Sequence, residues 1–138
     1  MPYLINTLPQ NDLGFLRIVA QLWGLELESA DPSHAVVELV ETLCDAALLE
    51  EVVSTLTDDA RDALGALFAS GGRLPWPAFT RRFGEVREMG PARRDREKPH
   101  LRPTSPAEIL FYRALVARAF FDTPAGPQEF AFIPDDLY

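Results

Sequence analysis

The sequence predicts a mainly α protein with one small β-hairpin near its C-terminal end. Apolar residues recur at helical spacing through the first half of the chain, cap and stop residues frame each run, and an aromatic-rich stretch broken by a turn follows the last helix. The chain has 138 residues, of which 47% are hydrophobic, so a core can form without disulfides or metal. We divide it into a helical subdomain, residues 1–56, and a winged-helix-like subdomain, residues 57–138.

The N-terminal subdomain is predicted to be entirely helical. Its helices are expected near 12–23, 32–44 and 46–56. Asn11 or Asp12 is placed to cap the first helix, and Gly24 follows its last turn, where a left-handed residue often ends a helix. Asp31 as a cap and Pro32 in the first turn mark the start of the second helix.

The C-terminal subdomain is predicted to combine helices with the hairpin. Its helices are expected near 58–70, 76–83 and 106–118, and its strands near 119–122 and 129–133. Thr57 caps the first of these helices and Ser105 the last, where Glu108 is placed to bond back to the Ser105 amide. The stretch at about 84–104, rich in Gly, Pro and charge, is predicted to be a long Arg-rich loop. Helices followed by a hairpin are the element order of a winged helix, with the hairpin as wing.

The predicted helix 106–118 is apolar almost all round. Only Glu108, Arg113 and Arg118 are polar in it, whereas a helix that reads DNA bases must present hydrogen-bonding side chains to a groove. We therefore expect this helix to be buried. The aromatic residues of the hairpin are also predicted to lie in the core: Phe120, Phe121, Phe130 and Phe132.

Positive charge is concentrated in one segment of an acidic chain. The formal net charge is -8, and the segment contains eight of the thirteen cations: Arg81, Arg82, Arg87, Arg93, Arg94, Arg96, Lys98 and Arg102. With four acidic residues the segment is +4, and the remaining five cations and seventeen acids give -12. Twelve of the thirteen cations are Arg, which suits bidentate contacts to phosphate or carboxylate, although codon usage in a GC-rich genome explains this bias equally well. Either these cations contact phosphates or they pair with the protein's own acids.

No residue pattern predicts catalysis, a metal site or a cofactor. His34 and His100 are far apart, and neither has a second His or a Cys at ligand spacing. Cys44 is the only cysteine and has no evident general base, so we expect no enzyme activity. A lone cysteine, no secretion signal and no long apolar run are typical of a cytoplasmic protein without a membrane partner.

Two stretches resemble known families. Residues 8–43, with Leu16, Trp23-Gly24-Leu25 and Glu38-Leu39-Val40, resemble the helix–loop–helix of the SAP-type DNA-binding motif. The usual basic residue before the second helix is replaced here by Ser33-His34. The second resemblance is to the N-terminal, helicase-associated region of uncharacterised bacterial proteins that are similar to the N-terminal domain of the XPB/Ssl2 DNA helicases. It is carried by residues 60–72, 81–83, 93–101, 105–121 and 128–136.

The first functional hypothesis is a non-catalytic, nucleic-acid-associated module of a helicase-like or DNA-processing protein, which touches phosphates without sequence preference through the Arg-rich segment. The chain has no G-x-x-x-x-G-K-[ST] loop, so a helicase motor would belong to another part of a longer protein or would be absent. The alternative is a protein-interaction or regulatory adaptor domain whose acidic helical surface docks a partner. The partners that the sequence leaves open are DNA, through the Arg-rich segment, and another protein or further domains of a longer chain.

Overall fold

The computed structural model describes residues 3–9 and 11–138 and confirms a mainly α fold with a small C-terminal β-hairpin. The elements follow in this order: α1 (Leu4–Thr7), α2 (Leu13–Leu22), α3 (Pro32–Leu43), α4 (Ala46–Ser54), α5 (Asp58–Ala69), β1 (Arg73–Pro75), α6 (Trp76–Phe83), α7 (Pro91–Glu97), a 3₁₀ helix (Pro99–Leu101), α8 (Pro106–Tyr112), β2 (Ala117–Thr123) and β3 (Gly126–Phe132).

Local capping explains where several helices begin. The side chains of Asp12, Asp31, Asp45 and Thr57 each accept a hydrogen bond from an amide two or three residues further along. These bonds satisfy first-turn amides that have no partner within the helix. Of the two candidates at the start of α2, Asp12 is therefore the cap.

The hairpin belongs to a three-stranded antiparallel sheet with the strand order β1-β3-β2. β2 and β3 pair from Ala117 opposite Phe132 to Thr123 opposite Gly126, so the strands are longer than predicted. β1 pairs with the other edge of β3 and was not predicted, because three residues are too few for an alternating pattern to be recognised.

The prediction of a loop throughout 84–104 is wrong, because α7 and the 3₁₀ helix lie within it. Pro91 occupies the first turn of α7, where its missing amide costs nothing, and the Arg and Glu residues that follow have good helix propensity. Lys98 then takes a left-handed conformation, with φ of 51°, that ends the helix.

The predicted extension of the last helix to Arg118 is also wrong. α8 ends at Tyr112, and Ala114 has a φ of 59°, a left-handed turn that redirects the chain into β2. Burial of the helical part is confirmed, since Leu110 and Tyr112 are buried. Of the hairpin aromatics, Phe130 and Phe132 are buried as predicted and Phe121 is half-buried, but Phe120 is 69% exposed because it points away from the core.

One hydrophobic core runs through both predicted subdomains, with members from α1, α2, α3, α5, α8 and the end of the chain. Polar contacts also join the two parts: the Trp23 indole donates to the carbonyl of Arg113 at 2.8 Å, and Asp136 accepts from the amide of Leu4 at 2.9 Å. The division at residues 56/57 stays a prediction. No helix within residues 3–9 and 11–138 is long and apolar enough to cross a lipid bilayer.

Candidate interaction surfaces

The eight predicted cations lie on several elements rather than on one loop. Arg81 and Arg82 are on α6, while Arg87 lies between α6 and α7. The others are on α7 or beside the 3₁₀ helix: Arg93, Arg94, Arg96, Lys98 and Arg102. Three of the eight cations form ion pairs with carboxylates of the protein, and the other five do not.

Arg94 is the most buried of the eight cations, with 7% of its side chain exposed. Its Nη1 and Nη2 atoms donate to the two carboxylate oxygens of Asp12 at 2.6 and 2.7 Å, and Asp95 accepts a further bond at 3.0 Å. The Arg94 hydrogen bonds hold the pKa of Asp12 below its usual value, against the opposing effect of burial. Because Asp12 caps α2, this ion pair ties α7 to the start of α2.

Arg87 is paired with Glu108, whose side chain is fully buried in α8. The Arg87 guanidinium donates at 2.8 and 3.0 Å, and the amides of Arg87 and Thr104 donate at 2.9 and 3.0 Å. Burial alone would raise the pKa of Glu108, but these donors outweigh it and the pKa is lowered. The prediction that Glu108 bonds to the amide of Ser105 is corrected, since the amide is that of Thr104.

Ser105 nevertheless caps α8 as predicted, accepting from the Glu108 amide at 3.1 Å. Its hydroxyl also donates to the carbonyl of Glu85 at 2.8 Å, which holds the segment after α6 against α8. Gly84 permits this close approach: its φ is 86°, and a Cβ there would lie 2.4 Å from the Cβ of Ser105.

The remaining cations are at the surface. Arg93 pairs with Glu97 one turn along α7, a contact that lowers the pKa of Glu97, and both residues are exposed. Five of the eight predicted cations make no ion pair with a residue that the structure describes: Arg81, Arg82, Arg96, Lys98 and Arg102. All five are exposed, so they are the candidates that remain available to a phosphate.

Neither α8 nor the hairpin presents a surface suited to reading DNA bases. Within α8 the one charged side chain, Glu108, is buried against Arg87. In the hairpin strands the only cation is Arg118, which is bidentate to Glu129 with both distances 3.0 Å and lies over the Trp76 ring. The expectation that the last helix packs against the protein core and does not contact a DNA groove agrees with this geometry.

A cleft of about 410 Å³ lies between the start of α2, the segment 86–89 and the start of β2. Arg87, Arg94 and Asp12 line it, but their polar atoms are already engaged in the ion pairs described above. In residues 3–9 and 11–138, no group of three or more His, Cys, Asp or Glu side chains is arranged to hold a metal ion. The ion pairs of the cleft join α7 to the start of α2 and the segment after α6 to α8.

A second, apolar groove lies between α4 and α5 and has a volume of about 290 Å³. Leu49 and Val53 line it from α4, Phe68 from α5, and Ile133 and Leu137 from the end of the chain. Residue-level reasoning from the sequence missed this groove. The available signal was an α4 rich in Leu and Val within residues 41–72, which carry seven acids and a single cation.

We compared the chain with known proteins in three ways. A scan against protein-family models, a search of curated proteins and a search of solved structures each found no match.

Proposed function

We propose that the protein is a non-catalytic protein-interaction or regulatory adaptor domain. The observation that carries this proposal is the buried, bidentate pair between Arg94 and Asp12, which makes the centre of the Arg-rich segment part of the scaffold. Arg87 is used in the same way by the buried Glu108. A cation that is needed to neutralise a buried carboxylate is not available to neutralise a phosphate.

The surface that remains is predominantly acidic and helical. Residues 41–72, which include α4 and α5, have a net charge of -6, and the apolar groove opens between these two helices. An acidic surface with an apolar recess repels nucleic acid and suits a protein partner.

A second candidate function is a weak, sequence-independent nucleic-acid-associated module of a helicase-like or DNA-processing protein. The five exposed cations of the Arg-rich segment without an ion pair favour it, as does the resemblance to helicase-associated regions. The element order of residues 58–132 also supports it, since it resembles a winged helix with α7 and the 3₁₀ helix inserted. We propose a cytoplasmic setting in either case, on the basis of the single cysteine.

DNA binding as a function of salt, measured by fluorescence anisotropy with duplex and single-stranded DNA, separates the two candidates. The adaptor proposal predicts no measurable affinity at low salt. It also predicts that changing Arg93, Arg94 and Arg96 together to Ala lowers thermal stability, because Arg94 is buried.

The matched control changes Arg81, Arg82 and Arg96 to Ala, which removes the same charge from exposed positions. It should lower stability much less, through the loss of the contact between Arg82 and the Phe83 ring. The nucleic-acid candidate predicts instead a log–log salt slope near about -2 to -3, as for about three phosphate contacts. The adaptor proposal would be refuted by DNA binding with that salt slope, if the slope is flatter in the Arg81, Arg82 and Arg96 variant and the affinity is unchanged when the DNA sequence is scrambled.

A further inference from the structure

β2 is an edge strand whose outer side has no partner strand. In the strand order β1-β3-β2, β3 is its only neighbour among the described residues. The seven residues of β2 pair one for one with β3, so no bulge interrupts the strand, and none of the seven is a proline. Bulges and prolines are two features by which proteins prevent a sheet edge from pairing with another chain. The outer side of β2 is therefore able to accept a further strand.

The register of the hairpin identifies the main-chain groups on that outer side. Pro127 lies opposite Asp122 and has no N–H, so these two residues cannot exchange a pair of main-chain hydrogen bonds. Hydrogen-bonded and non-hydrogen-bonded pairs alternate along an antiparallel ladder, so every second residue of β2 bonds to β3. The residues whose N–H and C=O groups point outward are therefore Arg118, Phe120 and Asp122. Among the described residues, none of these groups bonds to main chain outside the sheet.

The side chains of these three residues form a pattern that is complementary to itself. Phe120 is 69% exposed, and a cation and an anion lie two residues to either side of it, Arg118 and Asp122. If two copies of β2 pair antiparallel about Phe120, each Arg118 lies opposite Asp122 of the second copy, and the two Phe120 rings are adjacent. On the other face of the sheet, Ala119 lies opposite Phe121 of the second copy, so a small side chain leaves room for a half-buried ring.

Both charged groups are able to take part in this pairing. Asp122 is exposed and forms no ion pair with a residue that the structure describes. Arg118 binds Glu129 through Nε and Nη2, which leaves its Nη1 atom, 3.9 Å from a carboxylate oxygen of the exposed Glu88, for a further acceptor. The net charge of -8 on each copy opposes association, but β2 itself has one cation and one anion and is neutral.

We propose that two copies of the protein pair through their β2 edges and form a symmetric dimer with one continuous antiparallel sheet. Main-chain hydrogen bonds provide the affinity, and the two Arg118–Asp122 contacts fix the register. Because both copies use the same edge, the interface closes at two copies and does not propagate into a fibre. One short strand from each copy makes a small interface, so we expect a dissociation constant of about 0.1–1 mM. The pairing is independent of the adaptor function proposed above, since β2 contributes no residue to the α4–α5 groove.

Sedimentation equilibrium of the full chain, from about 10 µM to a few times the expected dissociation constant of about 1 mM, measures the association. We expect the average mass to rise from 15.4 kDa towards twice that value, with no larger species. Amide hydrogen exchange at the lowest and highest concentrations locates the interface. Protection should increase with concentration at the amides of Arg118, Phe120 and Asp122. The amides of Ala119 and Phe121 are bonded to β3 and should be protected at both concentrations.

Two variants and their matched controls test the side chains. Phe120→Lys places like charges at the centre of the interface and should weaken association at least about tenfold, whereas Val37→Lys, at an exposed apolar position of α3, should change it less than about twofold. Asp122→Lys sets a cation opposite Arg118 and should weaken association about tenfold. Glu41→Lys, exposed on α3, makes the same change in net charge and should not weaken association. Circular dichroism melts check that all four variants are folded.

Four results would overturn the inference. The first is a mass of 15.4 kDa at every concentration, which would leave the β2 edge to solvent or to a strand of a different protein. The others are equal association of each variant and its control, full protection of the three outward amides at the lowest concentration, and concentration-dependent protection confined to another surface. If Phe120→Lys fails to fold, the Asp122→Lys pair and the exchange pattern of the wild type still decide. The adaptor proposal is tested separately, by the DNA-binding measurements.

Discussion

Changing Arg94 to Ala should destabilise the protein, because Asp12 loses both of its bonds from the guanidinium. Arg94 has 7% of its side chain exposed and Asp12 has 20%, and removing one partner of a buried ion pair costs about 3–5 kcal/mol. Asp12 keeps its bond from the Phe15 amide and some contact with water, so we expect about 2–3 kcal/mol. For a chain of this size that corresponds to a decrease in melting temperature of about 10 °C.

Urea unfolding followed by circular dichroism measures this change, and Arg96→Ala is the matched control on the same helix. Arg96 is exposed, so its removal should change the free energy of unfolding by less than about 0.5 kcal/mol. In a double-mutant cycle, Asp12→Asn retains the cap acceptor and should show a coupling with Arg94→Ala of about 1–3 kcal/mol. Equal unfolding midpoints for Arg94→Ala and Arg96→Ala would refute the assignment of Arg94 to the scaffold.

The same pair predicts a pH dependence with a defined sign. Because Arg94 lowers the pKa of Asp12 in the folded protein, the stabilisation is fully present above the unfolded pKa of about 3.9 and decreases as pH falls through the folded value. The difference between the wild type and Arg94→Ala should therefore shrink below about pH 4. A difference that stays constant down to pH 2 would contradict a charge interaction.

Two further predictions concern the Ser105 cap and the buried His100. Ser105→Ala should lower the free energy of unfolding by about 1–2 kcal/mol, because the Glu108 amide loses its acceptor and the Glu85 carbonyl loses a donor. Ser70→Ala, at the exposed end of α5, is the control and should be nearly neutral when both are measured by urea unfolding. Burial, with Lys98 nearby, lowers the pKa of His100 in the folded protein, so stability should decline as pH falls below about 6.5, the unfolded pKa. His100→Gln should remove that decline, and parallel pH profiles of the two unfolding midpoints would contradict it.

Interactions between residues close in sequence were predictable. Asp31 and Thr57 bond to amides two or three residues away, so the residue types alone locate the helix starts. The mainly α class and the C-terminal hairpin follow from the same local patterns. Burial of the last helix follows from its composition, because a helix that is apolar on all sides has no stable arrangement in water.

Contacts between distant parts of the chain determine features that sequence patterns could not predict. Arg93, Arg94 and Arg96 are alike in type, and only the position of Asp12, 82 residues earlier, makes Arg94 a buried scaffold residue while Arg96 stays exposed. α8 ends at Tyr112 because the turn at Ala114 lets the next residues enter the core, although their apolar sequence would also suit a continued helix.

The candidate interaction groove is likewise a product of the tertiary structure. Its walls come from α4 and α5, and its floor comes from residues near the end of the chain. The acidic composition of residues 41–72 is visible in the sequence, but which apolar side chains remain half-covered is not. The sequence by itself determined where helices start and how charge is distributed, because these depend on neighbouring residues. The fold decided which charges are neutralised and which apolar surface stays open, because these depend on packing between segments far apart in the chain.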